Sequence, residues 1–332
     1  MSWSERFVDF APFNRLLAIP ILLAQFRRSE HGLRVLLGFF ISVVGVLIVS
    51  WLIVLFPALP WHSSAFGVPV KDYILQSENF LICAFVVLAL AFDELSLRRW
   101  RSAAGLAAFA AVFLANIAFV VSGRTAFLVA PVLTLLLGWR QWRWRGLLSA
   151  GILFGILGAA ATAESPYLRA RMDTSATELR AWRRTDAVNS TALHLQFLKE
   201  ALSFVKTAPI IGHGTGSILE QYRNEAVGET GAAAVVSVNP HNQILAVAIQ
   251  LGIVGAAVLV AMWVAQFMLF RGGGLIGWIG VVIVADSVVS CLVNSHLFDF
   301  TQSWIYIFGI GAAGGTALRE AKPAAWHEPD KP

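Results

Sequence analysis

The chain has 332 residues, of which 57% are hydrophobic and 14% charged, with a formal net charge of +5 at neutral pH. A soluble globular domain carries nearer a quarter of charged residues, so this composition excludes an ordinary soluble protein. The hydrophobic residues form blocks of about twenty that are separated by Arg-rich or Pro-rich breaks, as bilayer thickness requires. Most basic residues lie in short loops between these blocks, so the basic balance implies no nucleic-acid partner. We therefore predict an all-α fold, a polytopic transmembrane helix bundle.

In chain order, the first segment is weak and the later ones are clear. Residues of about 7–26 could form a marginal spanning helix, an interfacial helix or the remnant of a longer protein, because Asp9, Asn14 and Arg15 interrupt the apolar pattern. Eight clear spans follow, at about residues 36–56, 74–92, 103–121, 126–138, 147–163, 243–270, 275–293 and 304–317. The bundle is therefore predicted to have eight or nine spans.

A long polar region interrupts the series of spans. We divide the chain into N-terminal transmembrane helices (1–163), a large helical periplasmic loop (164–238), C-terminal transmembrane helices (239–318) and a cytoplasmic tail (319–332). Loops of such length are usually functional or disordered. Apolar residues at helical spacing over 191–207 predict a helix with one apolar face, with Ser190 or Thr191 as its cap. We expect this helix to lie as a lid over one mouth of the bundle.

The charges of the short loops predict the orientation in the membrane. If the loop at 27–34 is cytoplasmic, strict alternation places the arginines at 98–101, 140–145, 271 and 319 on the same side. The large loop then faces outward, into the periplasm of a Gram-negative cell. We therefore predict a multi-pass protein of the bacterial inner membrane with a periplasmic active face. Because ATP is absent there, a reaction must use a substrate that is already activated.

The strongest candidate for catalysis is His241. The polar cluster Asn239-Pro-His-Asn242 runs directly into an apolar helical pattern, which places the histidine in the first turn of a membrane helix at the water interface. The free N–H groups of a helix N-terminus carry partial positive charge. A neutral imidazole there can take a proton from a hydroxyl. The alternative is a hydrophilic helix cap with a bystander histidine.

Arg124 is the second candidate. It lies at the outer end of a span between two small residues, where a charge is costly unless it reaches the interface or meets an anion. Guanidinium offers fixed, bidentate donors to a phosphate, whereas the alternative is an interfacial anchor. The loop adds further arginines, among them Arg169, Arg171, Arg180, Arg183 and Arg184. Together they predict an anionic partner, such as lipid headgroups or a lipid-linked pyrophosphate.

Several polar residues have both a structural and a functional interpretation. Asp286 lies inside a span and could act in function or make a hydrogen bond between helices. His296 and Asp299 could contact substrate or cap a helix. Residues 212–216 are rich in glycine but lack the Lys-Ser/Thr of a phosphate-binding loop. No metal-ligand spacing is visible, and neither a metal nor a cofactor is predicted.

Four short motifs resemble the O-antigen ligase family of bacterial membrane glycosyltransferases, which also includes O-antigen polymerases and protein O-oligosaccharyltransferases. They are Ser122-Gly-Arg-Thr125, Pro209-Ile-Ile-Gly-His-Gly-Thr-Gly216, Asn239-Pro-His-Asn-Gln-Ile-Leu245 with Gln250-Leu-Gly252, and Asn294-Ser-His-Leu-Phe-Asp299. A large outer loop followed by three spans is also similar. Family members usually have about twelve spans, so the chain looks shortened by three or four N-terminal helices. His194 stands where many relatives have arginine.

The resemblance implies metal-independent transfer of a glycan from undecaprenyl pyrophosphate to a sugar hydroxyl of lipid A-core. His241 matches the family's catalytic histidine, as a base or as a group that orients the acceptor. Arg124 matches an arginine implied to hold the pyrophosphate. The predicted substrate-binding residues are Arg124, Arg171, Arg169, Asn242, His194 and Gly214. The implied partners are the undecaprenyl-pyrophosphate-linked donor, lipid A-core or another glycan acceptor, and membrane lipids.

Three alternatives stay open at this point, and one of them is a non-catalytic remnant, given the short N-terminal part. An O-antigen or exopolysaccharide polymerase of the same superfamily would share these motifs. A membrane transporter or flippase would also contain a carboxylate such as Asp286 inside the bundle. Against transport, no internal repeat is visible, and the polar residues gather at one membrane face.

Overall fold

The computed structural model describes residues 3–58, 65–120, 123–185 and 188–321. Within these ranges the chain forms twelve α-helices and no β-strand. The helices are α1 (Trp3–Leu16), α2 (Ala18–Arg28), α3 (Gly32–Leu55), α4 (Tyr73–Ser96), α5 (Trp100–Phe119), α6 (Arg124–Glu164), α7 (Pro166–Thr185), α8 (Ser190–Thr207), α9 (Ser217–Glu225), α10 (Gln243–Leu269), α11 (Gly274–Cys291) and α12 (Phe300–Glu320). Six of them, α3, α4, α5, α6, α10 and α11, are long and apolar enough to cross a membrane. The predicted all-α polytopic bundle is confirmed.

The predicted spans correspond to these helices with one change. Helix α6 has 41 residues and contains both the fourth and the fifth predicted span. Its helical geometry breaks at Trp142 and Arg143, inside the predicted Arg- and Trp-rich boundary. The second arm folds back on the first, and a Cβ added at Gly146 would lie only 1.8 Å from the carbonyl oxygen of Gly138. The last predicted span lies in α12, which is not among these six long apolar helices.

The weak N-terminal segment forms two helices, and the second packs against the C-terminal one. Side chains of α2 cover a strip of glycines on α12, because a Cβ at Gly311 would meet Leu22 and a Cβ at Gly314 would meet Leu23. Glycine lets two helix backbones approach closely in a membrane, where packing drives helix association. Residues 18–28 therefore belong to the bundle as a packed helix.

The core of the bundle is built around α4 and α11, the two spans with the largest buried share. Phe80 and Leu81 of α4 and Val282 and Val284 of α11 are almost fully buried. Few residues of α3, of α5 and of the second arm of α6 are buried. A helix that is apolar all round and exposed is suited to face lipid.

A break in α10 shapes the end of the bundle that carries the polar loop. Gly252 has φ 65° and ψ −163°, so the helical hydrogen-bond ladder is interrupted there. The carbonyls thus released find partners in the loop: Ile249 accepts a hydrogen bond from the N–H of His213 (2.8 Å), and Gln250 accepts one from Gly214 (2.9 Å). Buried carbonyls need such partners. The glycine-rich segment 209–216 therefore holds the broken helix by hydrogen bonds, and we call this segment the clamp.

The clamp also accepts a hydrogen bond from α10. The N–H of Ile253, freed by the same break, donates to the carbonyl of Pro209 at 2.8 Å. Gly212, with φ 69°, lies so close to α10 that a Cβ there would be 2.4 Å from the carbonyl carbon of Gln250. The sequence 209–216 and the break at Gly252 are therefore two halves of one structural unit.

Gly252→Ala is expected to destabilise the protein by about 3 kcal/mol or more, since the added methyl group combines backbone strain with overpacking. Its Cβ would lie 2.1 Å from the carbonyl oxygen of Ile210. Thermal unfolding of the purified protein in detergent measures the loss. Gly45→Ala is the matched control, because nothing lies within 4 Å of that Cβ. Alanine is favoured over glycine by up to about 1 kcal/mol in a helix. Equal unfolding temperatures for the two variants would contradict the clamp.

Helix α8 packs on α10 through one apolar face. Phe197, Ala201 and Phe204 of α8 form a buried cluster with Ala246 and Ile249 of α10. The helix extends over Ser190–Thr207, close to the predicted 191–207. Its cap was predicted wrongly as Ser190 or Thr191. The Asn189 side chain accepts the N–H of Ala192 and therefore caps the helix.

Candidate functional site

His241 lies just before α10. The helix begins at Gln243, and Asn242 caps it by accepting the N–H of Leu245 at 3.0 Å. His241 adopts φ 54°, a left-handed conformation that few residues other than glycine occupy. Its own N–H donates to Oδ1 of Asn239 at 2.8 Å. The prediction that this histidine stands in the first helical turn is therefore wrong, because the next residue is already the cap.

Two rings of α8 cover the His241 imidazole. The centroid of the His194 ring is 4.2 Å away with an interplanar angle of 29°, and the Phe197 ring is 6.0 Å away with an angle of 13°. Nδ1 of His241 is buried and has no hydrogen-bond partner among the described residues. One imidazole nitrogen is therefore available to a hydroxyl that enters the site.

The surroundings keep His241 neutral. Burial, with a smaller effect of the neighbouring His194, lowers the pKa of His241 from 6.5 to about 4, although the hydrogen bond with the Asn294 side chain acts in the opposite direction. Burial also lowers the pKa of His194, whose ring interacts with the carbonyl of Val293 at 2.9 Å. Both imidazoles are uncharged at neutral pH, so His241 can accept a proton.

Arg124 is the first residue of α6, where the helix dipole disfavours a positive charge. Its Nη2 lies 3.3 Å from Oε2 of Glu178 on α7, and its Nη1 lies 3.5 Å from the hydroxyl oxygen of Thr191 on α8. Its Nε is buried and has no partner among the described residues. The guanidinium group therefore keeps one donor for a further anion.

Glu178 connects the three helices around Arg124. Its Oε2 accepts hydrogen bonds from the hydroxyl (2.5 Å) and the N–H (3.1 Å) of Thr191. The hydroxyl bond is the main reason that the pKa of Glu178 is lowered, with a further contribution from Arg124. Glu178 was not predicted from the sequence, because Thr191 and Arg124 meet it only after the loop has folded.

Helix α8 brings Arg124 and His241 to one place. Thr191, which contacts the arginine, and His194, which stacks on the histidine, are three positions apart and therefore lie on the same face of the helix. The charge of Arg124 also contributes to the lowered pKa of His194. The two residues predicted from separate motifs thus border the same end of the bundle.

Two of the predicted substrate-binding residues, Asn242 and Gly214, form hydrogen bonds that hold α10 in place. The Asn242 amide group caps α10 and donates from Nδ2 to the carbonyl of Leu292 at 2.9 Å. The N–H of Gly214 belongs to the clamp on Gln250, which is about two helical turns from the cap along α10. Both residues are therefore engaged in hydrogen bonds within the protein.

The two loop arginines of the prediction are not brought to Arg124 by any described contact. Nη1 of Arg169 donates to the carbonyl of Ala163 at 2.6 Å, so it satisfies the C-terminal end of α6. Arg171 lies on α7, and its side chain falls outside the described part of the structure.

A second polar cluster lies deeper in the bundle, below the cap of α10. Nδ1 of His296 is 3.3 Å from Oε2 of Glu78, and both side chains are buried. Asp286 faces the same cavity of about 30 Å³. His296 contributes to the lowered pKa of His241. Sequence reasoning noted Asp286 and His296 and missed Glu78, although a carboxylate inside an apolar span is a usable signal.

Asp299 has a structural role. Its carboxylate accepts the N–H groups of Thr301 and Gln302 and so caps α12. It also pairs with Lys71, and the chief stabilising contact behind its lowered pKa is that hydrogen bond, against the opposing effect of burial. Of the two interpretations given to this residue, the cap is the one that its contacts support.

Residues 109–260 match the model of a family described as O-antigen ligase. The match covers somewhat less than half of the chain, yet it includes Arg124, the lid helix α8 and His241. No curated protein matches the chain. The family supports a membrane glycosyltransferase-type function in O-antigen and lipopolysaccharide assembly, and the apolar helices agree with a multi-pass membrane protein. Residues 109–260 are therefore similar to the O-antigen ligase family, and this similarity supports membership of the chain in that superfamily.

Proposed function

We propose that the chain transfers a glycan from undecaprenyl pyrophosphate to a sugar hydroxyl of lipid A-core, at the periplasmic face of the inner membrane and without a bound metal. The observation that carries the proposal is the meeting of Arg124 and His241 on one face of α8. The family match independently supports a glycosyltransferase of this general kind.

In this reaction His241 acts on the acceptor. Its unpaired Nδ1 takes the proton of the sugar hydroxyl while the hydroxyl oxygen forms a bond to C1 of the glycan. The bond between C1 and the pyrophosphate oxygen breaks at the same time, and its electron pair leaves with undecaprenyl pyrophosphate. The stacked His194 and Phe197 keep the imidazole oriented and partly shielded from water.

Arg124 acts on the leaving group. Negative charge grows on the pyrophosphate as the bond breaks, and a cation already in place stabilises it without reorganisation. The unpaired Nε of Arg124 and the positive end of α6 both suit this task. Glu178 holds the guanidinium from the other side and so fixes its position.

An apolar groove can receive the lipid part of the donor. It encloses about 690 Å³ between α3 and the neighbouring α4, α11 and α12, and Phe40, Val86, Ile283 and Phe308 are among its walls. It reaches Thr301 at the end of the bundle where His241 lies, and it shares Ile283 with the cavity beside His296. A polyprenyl chain in this groove would keep its pyrophosphate at the membrane surface.

The pH dependence of transfer is a first test. Activity that requires neutral His241 should persist from pH 7 down to about pH 5 and fall as the pH passes through about 4, the pKa of the folded protein. The profile of kcat/KM reports this pKa for the free enzyme. An acid limb near 6.5, the ordinary value, would contradict the role given to the buried imidazole. Because the unfolded chain binds a proton that the folded one does not, stability should also decline between pH 6.5 and 4.

Complementation tests the whole proposal and separates ligase from polymerase. Expression of the chain in a strain without its O-antigen ligase should restore glycan on lipid A-core, seen as a ladder of lipopolysaccharide on a gel. Expression in a strain without its polymerase should restore nothing. Rescue of the polymerase strain alone would overturn ligation in favour of polymerisation.

A further inference from the structure

A second concave site lies at the end of the bundle opposite His241. Helix α6 begins at Arg124 and reaches its break at Trp142, while α10 begins beside His241 and ends at Leu269. Between these two far ends and the start of α11 is a pocket of about 680 Å³. Its polar and aromatic lining includes Arg140, Arg143, Arg271, Gly273, Gly274 and Trp278.

Three guanidinium groups border this pocket, and they are poorly neutralised. Arg140 pairs through Nη2 with Asp93 at 2.9 Å, but its Nη1 is buried and has no partner among the described residues. Arg143 and Arg271 form no ion pair within the described ranges, and Arg143 lies over the Trp139 ring at 4.9 Å. No acidic residue is among the lining residues. The pocket is therefore positively charged at its rim.

The N-terminus of α11 adds a second attraction for an anion. Gly273 occupies the cap position and has no side chain that could accept the N–H groups of the first turn, which itself contains no acidic residue. The free N–H groups of this 18-residue helix are therefore open to a ligand. No atom lies within 4 Å of a Cβ built at Gly273 or Gly274, so the backbone can be approached closely. Such a terminus is a suitable place for a phosphate group.

The remaining walls are apolar and belong to membrane helices. Leu136, Val264, Phe267 and Val281 line the pocket from α6, α10 and α11. A ligand that fills it needs an anionic head at the membrane surface and hydrocarbon below. Basic pockets between transmembrane helices bind phospholipid headgroups in this way. We propose that this pocket is a binding site for an anionic diacyl phospholipid, with its phosphate between Arg143, Arg271 and the start of α11.

Native mass spectrometry of the full chain tests the proposal with lipids of identical acyl chains. Phosphatidylglycerol should be retained about tenfold or more over phosphatidylcholine, and this preference should weaken as salt increases. Arg143→Gln and Arg271→Gln should each reduce the preference by about fivefold. Arg145→Gln is the matched control, because Arg145 is exposed on the same segment and does not line the pocket.

Three results of this experiment would contradict a phospholipid site. Equal retention of the two lipids by the wild-type chain would overturn the proposal, and so would an equal loss in Arg145→Gln and Arg143→Gln. Inorganic phosphate at the same concentration should not displace phosphatidylglycerol. If it does, the pocket is a site for a free anion and not for a lipid. Thermal unfolding of each variant without added lipid separates lost binding from lost folding.

Discussion

His241→Ala is expected to reduce glycan transfer by about 100- to 10,000-fold, the usual contribution of a positioned base. Nδ1 of His241 is buried and has no partner among the described residues, and the pKa of the imidazole is low. The substitution therefore removes the proton acceptor, and no described hydrogen bond at Nδ1 is lost with it. Transfer of radiolabelled glycan to lipid A-core in membranes measures the loss. The amount of protein in the membrane should stay as in the wild type.

Two further variants make this result specific. His241→Asn should be as inactive as the alanine variant but should fold better, since asparagine tolerates the left-handed φ of 54°. His31→Ala should retain full activity, because His31 is exposed next to α3 at the opposite end of the bundle. Normal lipopolysaccharide in cells that contain either substitution at 241 would contradict a role in proton transfer.

Arg124→Ala should lower transfer by about 100- to 1,000-fold, as the loss of a preorganised charge at a leaving group does. The substitution should lower kcat, because the charge on the pyrophosphate grows in the transition state. Arg124→Lys should recover only part of the activity, since an ammonium group keeps the charge but lacks the planar fork. Steady-state kinetics with the lipid-linked donor separates kcat from KM.

Arg169→Ala is the control for the arginine. It lies on α7 of the same loop, but its guanidinium is bound to the carbonyl of Ala163 and is exposed. Transfer should stay within about threefold of the wild type, as expected for an exposed substitution away from the site. A loss in Arg169→Ala as large as that in Arg124→Ala would mean that general loop charge, and not one positioned guanidinium, holds the donor.

The order and extent of the spans were predictable because bilayer thickness and loop charge leave clear marks in a sequence. The boundary at 139–145 was visible in its arginines and tryptophans, and the structure breaks α6 at Trp142 and Arg143. The break at Gly252 was not predicted. Glycine is tolerated inside apolar helices, and only the distant segment 209–214 supplies the hydrogen bonds that make the break stable.

The candidate site was predictable only in part, for a related reason. His241 and Arg124 stand out because polar residues at the ends of apolar spans are conspicuous. Their neighbours depend on how the loop folds: Glu178 reaches Arg124 only because α7 crosses beside α8. Asn242 and Gly214 drew attention as polar and glycine residues near the site, yet their hydrogen bonds hold α10. Local sequence does not record such long-range pairings.

The most direct test uses the purified chain in lipid vesicles that contain an undecaprenyl-pyrophosphate-linked glycan and lipid A-core, with no nucleotide. If Arg124 and His241 act together beneath α8, the wild-type chain forms lipid A-core that carries the glycan, and neither His241→Ala nor Arg124→Ala does so. Formation of the same product at the wild-type rate by both variants would contradict a shared site for these two residues.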